Sequence, residues 1–206
     1  MGINMDKELV KRKFGNYFFA NELTYKMGID IRFMEHFASR LKGYCVLETC
    51  SGGGFSTISL SKYAEHVYSF EIDKDRHLDS IKNSEIANTK DNVTFINDSI
   101  LNINKYNINN RINAAFIDPD WAVTGQKHTF KFIKSNTNPP SDELFKQIYE
   151  ITKNIILIQP PFVPKDEYNS LPLHEFEYLY LNNNLELYCL YFGDAIKNIG
   201  ETKFNA

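Results

Sequence analysis

Residues 44–57 read YCVLETCSGGGFST, and this stretch decides the expected fold. The apolar run at 44–47 has the length of a buried strand, and Gly52, Gly53 and Gly54 then provide a tight turn. From Phe55 onward the sequence favours a helix. A strand, a glycine turn and a helix in this order are typical of parallel α/β sheets that bind a ligand at the turn, where backbone amides can point at it.

The spacing of the glycines separates two classes of ligand. A dinucleotide site requires Gly-x-Gly-x-x-Gly, but the third glycine position counted from Gly52 is occupied by Thr57. The chain instead has an acid at Glu48, followed by Gly52 and Gly54, which is the arrangement typical of S-adenosylmethionine sites. We therefore predict S-adenosylmethionine as the cofactor.

Acidic residues follow four successive predicted strands: Glu48, Glu71, Asp98 and Asp118. Each of them alone is more often a helix cap or a solvated turn residue. Because the carboxyl ends of parallel strands meet at one edge of the sheet, four such acids in succession indicate a ligand site there. The acid after the second strand, Glu71, stands where a ribose diol is usually held.

The residues after the fourth strand are Asp118, Pro119, Asp120 and Trp121. An acid supplies hydrogen-bond acceptors, proline a stiff turn and tryptophan a stacking face, which together can present a planar amine for alkylation. Taken alone, the stretch is equally well explained as a turn that ends a strand, since Asp-Pro commonly opens turns.

Together these motifs resemble class I methyltransferases and, more narrowly, the trimethylguanosine synthase (RNA cap guanine-N2 methyltransferase) family. The family's glycine motif is similar to residues 48–58, its Ile-Asp-Ile-Asp to residues 70–73 and its Ser/Asp-Pro-Pro-Trp loop to residues 118–121. The similarity continues to the closing hairpin near Asp194. The chain departs from the family pattern with Glu for Asp at Glu48 and Glu71, and with Asp120 for the second proline.

The resemblance implies an α/β, Rossmann-like class I methyltransferase fold, with a seven-stranded, mostly parallel sheet that ends in an antiparallel hairpin at 176–181 and 185–192. We expect one domain over 1–206, with an N-terminal helical segment at 1–42 before a catalytic core at 43–206. Within the first segment, residues 7–20 and 30–42 are expected to be helical.

The implied activity is methyl transfer from S-adenosylmethionine to an exocyclic amine of guanine in RNA or a cap-like nucleotide. Asp118 would accept a hydrogen bond from the amine, Trp121 would stack the base, and Asp120 would attract a cationic N7-methylated guanine. Two alternatives stay open. One is a methyltransferase for a small metabolite or a protein amine, and the other is a binding module without catalysis.

The candidate site residues fall into two groups. The catalytic candidates share the loop after the fourth strand: Asp118, Pro119, Asp120 and Trp121. The cofactor-binding candidates share the ends of the first four strands: Glu48, Cys50, Ser51, Gly52, Gly54, Glu71, Ile72, Asp98, Ser99 and Asp118. Because a hydrophilic sequence follows Trp121, we expect its indole to be largely exposed. The cysteines Cys45, Cys50 and Cys189 lack the spacing of a zinc site and are interpreted as core thiols, so no metal is predicted.

The net charge of −3 argues against a large, sequence-independent grip on a nucleic acid backbone. A local cluster of Lys127, Lys131 and Lys134 is nevertheless expected to meet the phosphate of a bound nucleotide. No apolar run approaches about 20 residues and the first 20 residues carry charges throughout, so neither a membrane span nor a signal peptide is predicted. We expect a cytoplasmic protein with an RNA or nucleotide substrate; the sequence does not predict its oligomeric state.

Overall fold

A computed structural model describes residues 5–121, 130–135 and 137–206. Among these residues the α-helices are α1 (Lys7–Phe14), α2 (Glu22–Met27), α3 (Ile31–Ser39), α4 (Phe55–Ser61), α5 (Lys74–Ile86) and α6 (Ser141–Ile151). The strands are β1 (Cys45–Thr49), β2 (His66–Phe70), β3 (Val93–Ile96), β4 (Ala114–Ile117), β5 (Ile155–Gln159), β6 (His174–Leu181), β7 (Asn184–Phe192) and β8 (Gly200–Asn205). Within the described part of the chain, every helix is too short or too polar to cross a membrane.

The chain divides into two compact units, the first ending at Ile112 and the second beginning at Asn113. In the first unit, β1 pairs in parallel with β2, and β2 pairs in parallel with β3. Both β1 and β2 are buried at every position after the first, as strands covered on two faces must be. The prediction of a single domain stays a prediction.

The first helix is shorter than the predicted 7–20. It ends at Phe14 because Gly15 adopts a left-handed conformation, with φ of 86°, and donates its N–H to the carbonyl of Lys11. The chain beyond Gly15 still packs inward, since Phe18 joins an apolar cluster with Phe14 and Phe55. The rings of Phe14 and Phe55 stack with centroids 3.7 Å apart. The helix predicted at 30–42 is present as α3, with Asp30 capping its first turn.

In the second unit, β4 pairs in parallel with β5, and β5 pairs antiparallel with β7. β6 and β7 form the predicted antiparallel hairpin, and β8 adds to β6 in parallel. The predicted α/β class, with mainly parallel pairing before a closing hairpin, is confirmed. The described residues contain eight strands rather than seven. The additional strand is β8. Its residues, GETKFN, are all exposed or half-buried, and their sequence lacks the apolar alternation that would predict a strand.

A buried carboxylate fixes the chain that leads into β8. Glu175 of β6 is inaccessible to solvent and accepts hydrogen bonds from the N–H groups of Lys197 (2.8 Å) and Asn198 (3.1 Å) and from the hydroxyl of Thr202 (3.0 Å). Polar contacts to Glu175, more than apolar packing of β8 itself, therefore hold this segment.

Candidate active site

The glycine turn after β1 is shaped by left-handed backbone conformations. Cys50 and Gly52 both have φ of 56°, and Gly54 has φ of 81°. A Cβ added to Gly52 would meet no atom within 4 Å, whereas one added to Gly54 would lie 2.4 Å from the hydroxyl of Ser80. Gly54 thus permits close packing of α5 against the turn. Gly52 leaves one side of the turn open, which is where a ligand could approach the backbone.

Asn83 of α5 supports the turn and was missed by sequence reasoning. Its side chain is fully buried, and its amide donates to the carbonyls of Gly53 (2.9 Å) and Phe19 (3.0 Å). Its carbonyl oxygen accepts from the N–H of Phe19 (2.7 Å). One side chain therefore joins the N-terminal segment to the glycine turn. Nothing in the sequence distinguishes this asparagine from the many solvated ones.

Glu48, at the end of β1, lies in the interior. Its Oε2 accepts a hydrogen bond from the hydroxyl of Thr57 in α4 at 2.6 Å, and its Oε1 has no hydrogen-bond partner among the described residues. Complete burial raises the pKa of Glu48 to about 6, against the opposing effect of the hydroxyls of Ser56, Thr57 and Ser69. The structure thus places this acid against the helix that follows the turn.

Glu71, at the end of β2, is brought together with the glycine turn. It is 4% exposed, and its Oε2 accepts from the N–H of Gly52 (2.7 Å) while its Oε1 accepts from the N–H of Asp73 (2.9 Å). A carboxylate has about four acceptor positions, so two remain for a ligand. The side chain of Asn97 donates to the carbonyls of Glu71 and Ile72 and fixes this turn from the other side.

Asp98, after β3, is half-buried and already engaged by three donors. Its carboxylate accepts from the N–H of Ser99 (2.7 Å), the amide of Asn102 (2.7 Å) and the hydroxyl of Tyr106 (2.8 Å). These hydrogen bonds, led by those from Asn102 and Tyr106, lower the pKa of Asp98. Asp98 therefore orders the 3₁₀ segment Ile100–Tyr106 and retains about one acceptor position for a ligand.

In the second unit, the loop after β4 is fixed by backbone pairing. Asp120 donates its N–H to the carbonyl of Asn138 (3.2 Å) and accepts from the N–H of Asn138 (3.0 Å). Pro119 is buried, and Asp118 and Asp120 are half-buried. Trp121 is also half-buried, and its indole nitrogen is shielded from solvent without a hydrogen-bond partner in the described residues. The prediction of a largely exposed indole is wrong, because the protein covers most of this side chain, including the indole nitrogen.

Buried hydroxyl groups hold the far side of this pairing. The hydroxyl of Thr137 donates to the carbonyl of Pro139 (2.7 Å) and lies 2.8 Å from the hydroxyl of Ser141 and 2.9 Å from that of Ser135. Ser141 in turn accepts from the amide of Gln159, at the end of β5 (3.4 Å). These contacts tie the segment at 137–140 to the first residue of α6 and to the end of β5.

Two acids hold the segment at 132–134 by hydrogen bonds to its backbone. Glu167 Oε2 accepts from the N–H groups of Phe132 (2.6 Å) and Ile133 (2.9 Å), and Asp142 Oδ2 accepts from that of Lys134 (2.7 Å). Lys131 and Lys134 of the predicted basic cluster are exposed. Lys127, the third member, lies outside the described residues.

The described residues contain no group of three or more His, Cys, Asp and Glu side chains placed to hold a metal ion. All three cysteines lie among the described residues, and none of them forms a disulfide. Cys189 is buried as interpreted, but Cys45 and Cys50 are half-buried, because one begins a strand and the other lies in the glycine turn.

Comparison with known families decides the identity of the fold. Residues 43–194, more than half of the chain, match the family model of the RNA cap guanine-N2 methyltransferases. The chain belongs to this family. By family it is an S-adenosylmethionine-dependent methyltransferase, so the resemblance seen in its motifs is confirmed. The match includes both the glycine turn and the loop at 118–121.

Solved structures similar to this guanine-N2 methyltransferase family member are Rossmann-like. An inferred methyltransferase from Porphyromonas gingivalis W83 superposes with a TM-score of 0.74 at 10% identity, over 92% of this chain and 48% of that chain. This chain therefore spans about half the length of that protein. TrmK of M. capricolum, solved with the cofactor product S-adenosylhomocysteine, gives 0.56 at 12% identity, over 82% and 70% of the two chains. An inferred Streptococcus mutans methyltransferase, solved with SAH, gives 0.54 at 19% identity, over 79% and 97%. These likenesses confirm the fold.

Replacement of Glu48 should change how stability depends on pH. Burial raises the pKa of Glu48 from 4.5 to about 6, so the folded protein binds the carboxyl proton of Glu48 more tightly than the unfolded protein does. The contribution of this proton binding to the free energy of unfolding is fully present below pH 4.5 and is lost as pH rises through about 6. We expect wild type to lose about 2 kcal/mol relative to Glu48→Gln across this window, measured by urea unfolding. The control is Glu65→Gln, which changes an exposed glutamate. If the difference in free energy of unfolding between wild type and Glu48→Gln stays the same across this pH window, the raised pKa of Glu48 is contradicted.

Proposed function

We propose that this protein transfers a methyl group from S-adenosylmethionine to the exocyclic N2 amine of a guanine in RNA or in a cap-like nucleotide. The observation that carries the proposal is the family match, which runs without a break from the glycine turn of the first unit through the loop at 118–121 of the second. Each unit contributes one part of the chemistry, and the residues of each part support it separately.

The residues of the first unit fit S-adenosylmethionine. The open side of Gly52 accommodates close approach of the methionine part, with Cys50, Ser51 and Gly54 completing the turn. The carboxylate of Glu71, fixed by two backbone N–H groups, keeps two acceptor positions for the ribose hydroxyls. Three further cofactor candidates are assigned to its adenosine end: Ile72, which is 68% exposed, for the adenine ring, and Asp98 with Ser99 for the adenine amine. The other two candidates, Glu48 and Asp118, are assigned different parts.

Glu48 is assigned a different part from the other cofactor residues. Because it is fully buried and bonded to Thr57, it supports the turn from within and does not meet the ligand directly. Its extra methylene relative to the aspartate of the family pattern extends the carboxyl toward the first turn of α4.

The residues of the second unit act on the acceptor. S-adenosylmethionine, when bound, supplies a methyl group on a positively charged sulfur. Asp118 accepts a hydrogen bond from the N2 amine and aligns the nitrogen lone pair with the methyl carbon, while Trp121 stacks the base. The donor would leave as an uncharged thioether once its methyl group is transferred. Asp118, or water, would take the proton that the amine loses. Pro119 restricts the backbone between the two aspartates. Orientation of the amine and electrostatic stabilisation then provide most of the rate acceleration.

Asp120 distinguishes this chain from the family pattern. Its backbone N–H and carbonyl both form hydrogen bonds with the backbone of Asn138. The position of the Asp120 backbone, which bears the carboxylate, is therefore fixed. A negative charge beside the acceptor base favours a cationic N7-methylated guanine over a neutral one by Coulomb attraction. We therefore propose a preference for cap-like acceptors. Methylation of metabolite or protein amines in place of guanine nucleotides would instead support the alternative acceptor class.

Loss of the Glu71 carboxylate should weaken cofactor binding. We expect S-adenosylmethionine to raise the melting temperature of wild type through mass action. Glu71→Gln, which keeps the shape of the side chain, should lower the affinity about 10- to 100-fold, as expected for hydrogen bonds to a charged acceptor. Isothermal calorimetry measures the effect, and exposed Glu65→Gln is the matched control. Equal binding by wild type and Glu71→Gln would remove Glu71 from the cofactor site.

Loss of the Asp118 carboxylate should slow the chemical step. Asp118→Ala should bind cofactor like wild type but turn over about 10²- to 10⁴-fold more slowly, the range for a lost proton acceptor. Asp120→Pro restores the family pattern and should change the preference between cap analogues and unmethylated guanosine nucleotides more than the rate. Single-turnover methylation of both acceptors measures these effects, with exposed Glu186→Ala as control. Unaltered turnover by Asp118→Ala would rule out the proposed alignment of the amine.

A further inference from the structure

An aromatic side chain near the end of β5 is held outside the core. Phe162 is 68% exposed and follows Pro160 and Pro161, which restrict the backbone that carries it. Ile133 is also exposed, at 47%. Exposed apolar side chains mark binding surfaces when they form a contiguous patch, so the neighbours of Phe162 decide what its exposure means.

Phe162 lies at the same edge of the sheet as the loop at 118–121, which is called the acceptor loop below. β4 and β5 are parallel neighbours, with Ile117 opposite Leu157, so the chain segments that follow them leave the sheet at one edge. One of these segments carries the loop at 118–121 and the other carries Phe162. Both belong to the second unit. A ligand that reaches the acceptor loop can therefore extend toward Phe162.

A second ring and two lysines accompany Phe162. The ring of Phe130 lies 5.1 Å from that of Phe162, with a tilt of 40° between their planes. The next segment is held firmly, because Phe132 is buried and packs on Tyr168 at 5.4 Å. Lys131 and Lys134 flank this anchored residue and are exposed.

The charges around these rings suit a phosphate-bearing ligand. The two acids that approach the segment, Glu167 and Asp142, accept hydrogen bonds from the N–H groups of Phe132, Ile133 and Lys134. Those contacts partly offset the negative charge of the two acids, whereas the lysine side chains extend into solvent. Aromatic faces next to exposed lysines are the combination that binds single-stranded nucleic acids.

We propose that Phe130 and Phe162 form a subsite for a second nucleotide of the RNA substrate, in which a base stacks on Phe162 and phosphates meet Lys131 and Lys134. The proposal rests on the proposed function, since it names the body of the substrate beyond the methylated guanine. Stacking on phenylalanine tolerates any base, so the subsite contributes affinity for RNA chains over mononucleotides without selecting a sequence.

The test is binding of a short, fluorescently labelled single-stranded RNA, followed by anisotropy. Phe162→Ala should weaken binding about 5- to 150-fold, the equivalent of one lost base stack, while Phe162→Tyr should bind like wild type. Lys131→Ala and Lys134→Ala should each reduce the salt dependence of log affinity by about 0.7. The matched control is Ile199→Ala, which removes an 84% exposed apolar side chain from the same unit and should have no effect.

The outcomes separate this proposal from the proposed function. RNA binding that depends on Phe162, in a protein that methylates no guanine nucleotide, would support the subsite and overturn the function. Methylation of guanine nucleotides, with RNA binding equal in wild type and Phe162→Ala, would overturn the subsite alone. A dimer that Phe162→Ala dissociates without change in RNA binding would show that the rings contact a protein, which also overturns the subsite.

Discussion

The hydrogen bond from the Gly52 N–H to the buried carboxylate of Glu71 is the contact on which the proposed cofactor site depends. It joins the turn after β1 to the end of β2, and it fixes the acid expected to hold the ribose. Asn83 supports the same turn by donating a hydrogen bond to the carbonyl of Gly53. Because Gly54 has no side chain, α5 can approach the turn closely enough to form this hydrogen bond. The turn is therefore positioned before any ligand arrives, which lowers the entropic cost of binding.

Acids that accept backbone N–H groups recur through the second unit, where they hold segments that lie outside the helices and strands. Glu175 does so for the approach to β8, Glu167 for the chain after Phe130, and Asp142 for Lys134. The loop at 118–121 is held differently, by hydrogen bonds between the backbones of Asp120 and Asn138. Both kinds of contact give a defined path to chain segments that have no helix or strand of their own.

Sequence reasoning succeeds where a local pattern determines the structure and fails where distant partners do. The apolar runs and the glycine turn identify β1 and the acids at the strand ends, because buried parallel strands and tight turns have their own local signals. The strand β8 has none, since its partner Glu175 lies far away in the chain. The same holds for Asn83, whose side chain reaches the distant residues Phe19 and Gly53. The end of α1 at Gly15 is the opposite case, a local signal that the helical period obscures.

The proposed function depends on delivery of the methyl group to the N2 amine of guanine. Incubation with S-adenosylmethionine carrying a ¹³C-labelled methyl group, followed by mass spectrometry and NMR of a cap-analogue product, tests it most directly. We expect one or more added methyl groups, with the label bonded to N2 of the guanine. Label at another atom of the nucleotide, or transfer only to metabolite or protein amines, would contradict it.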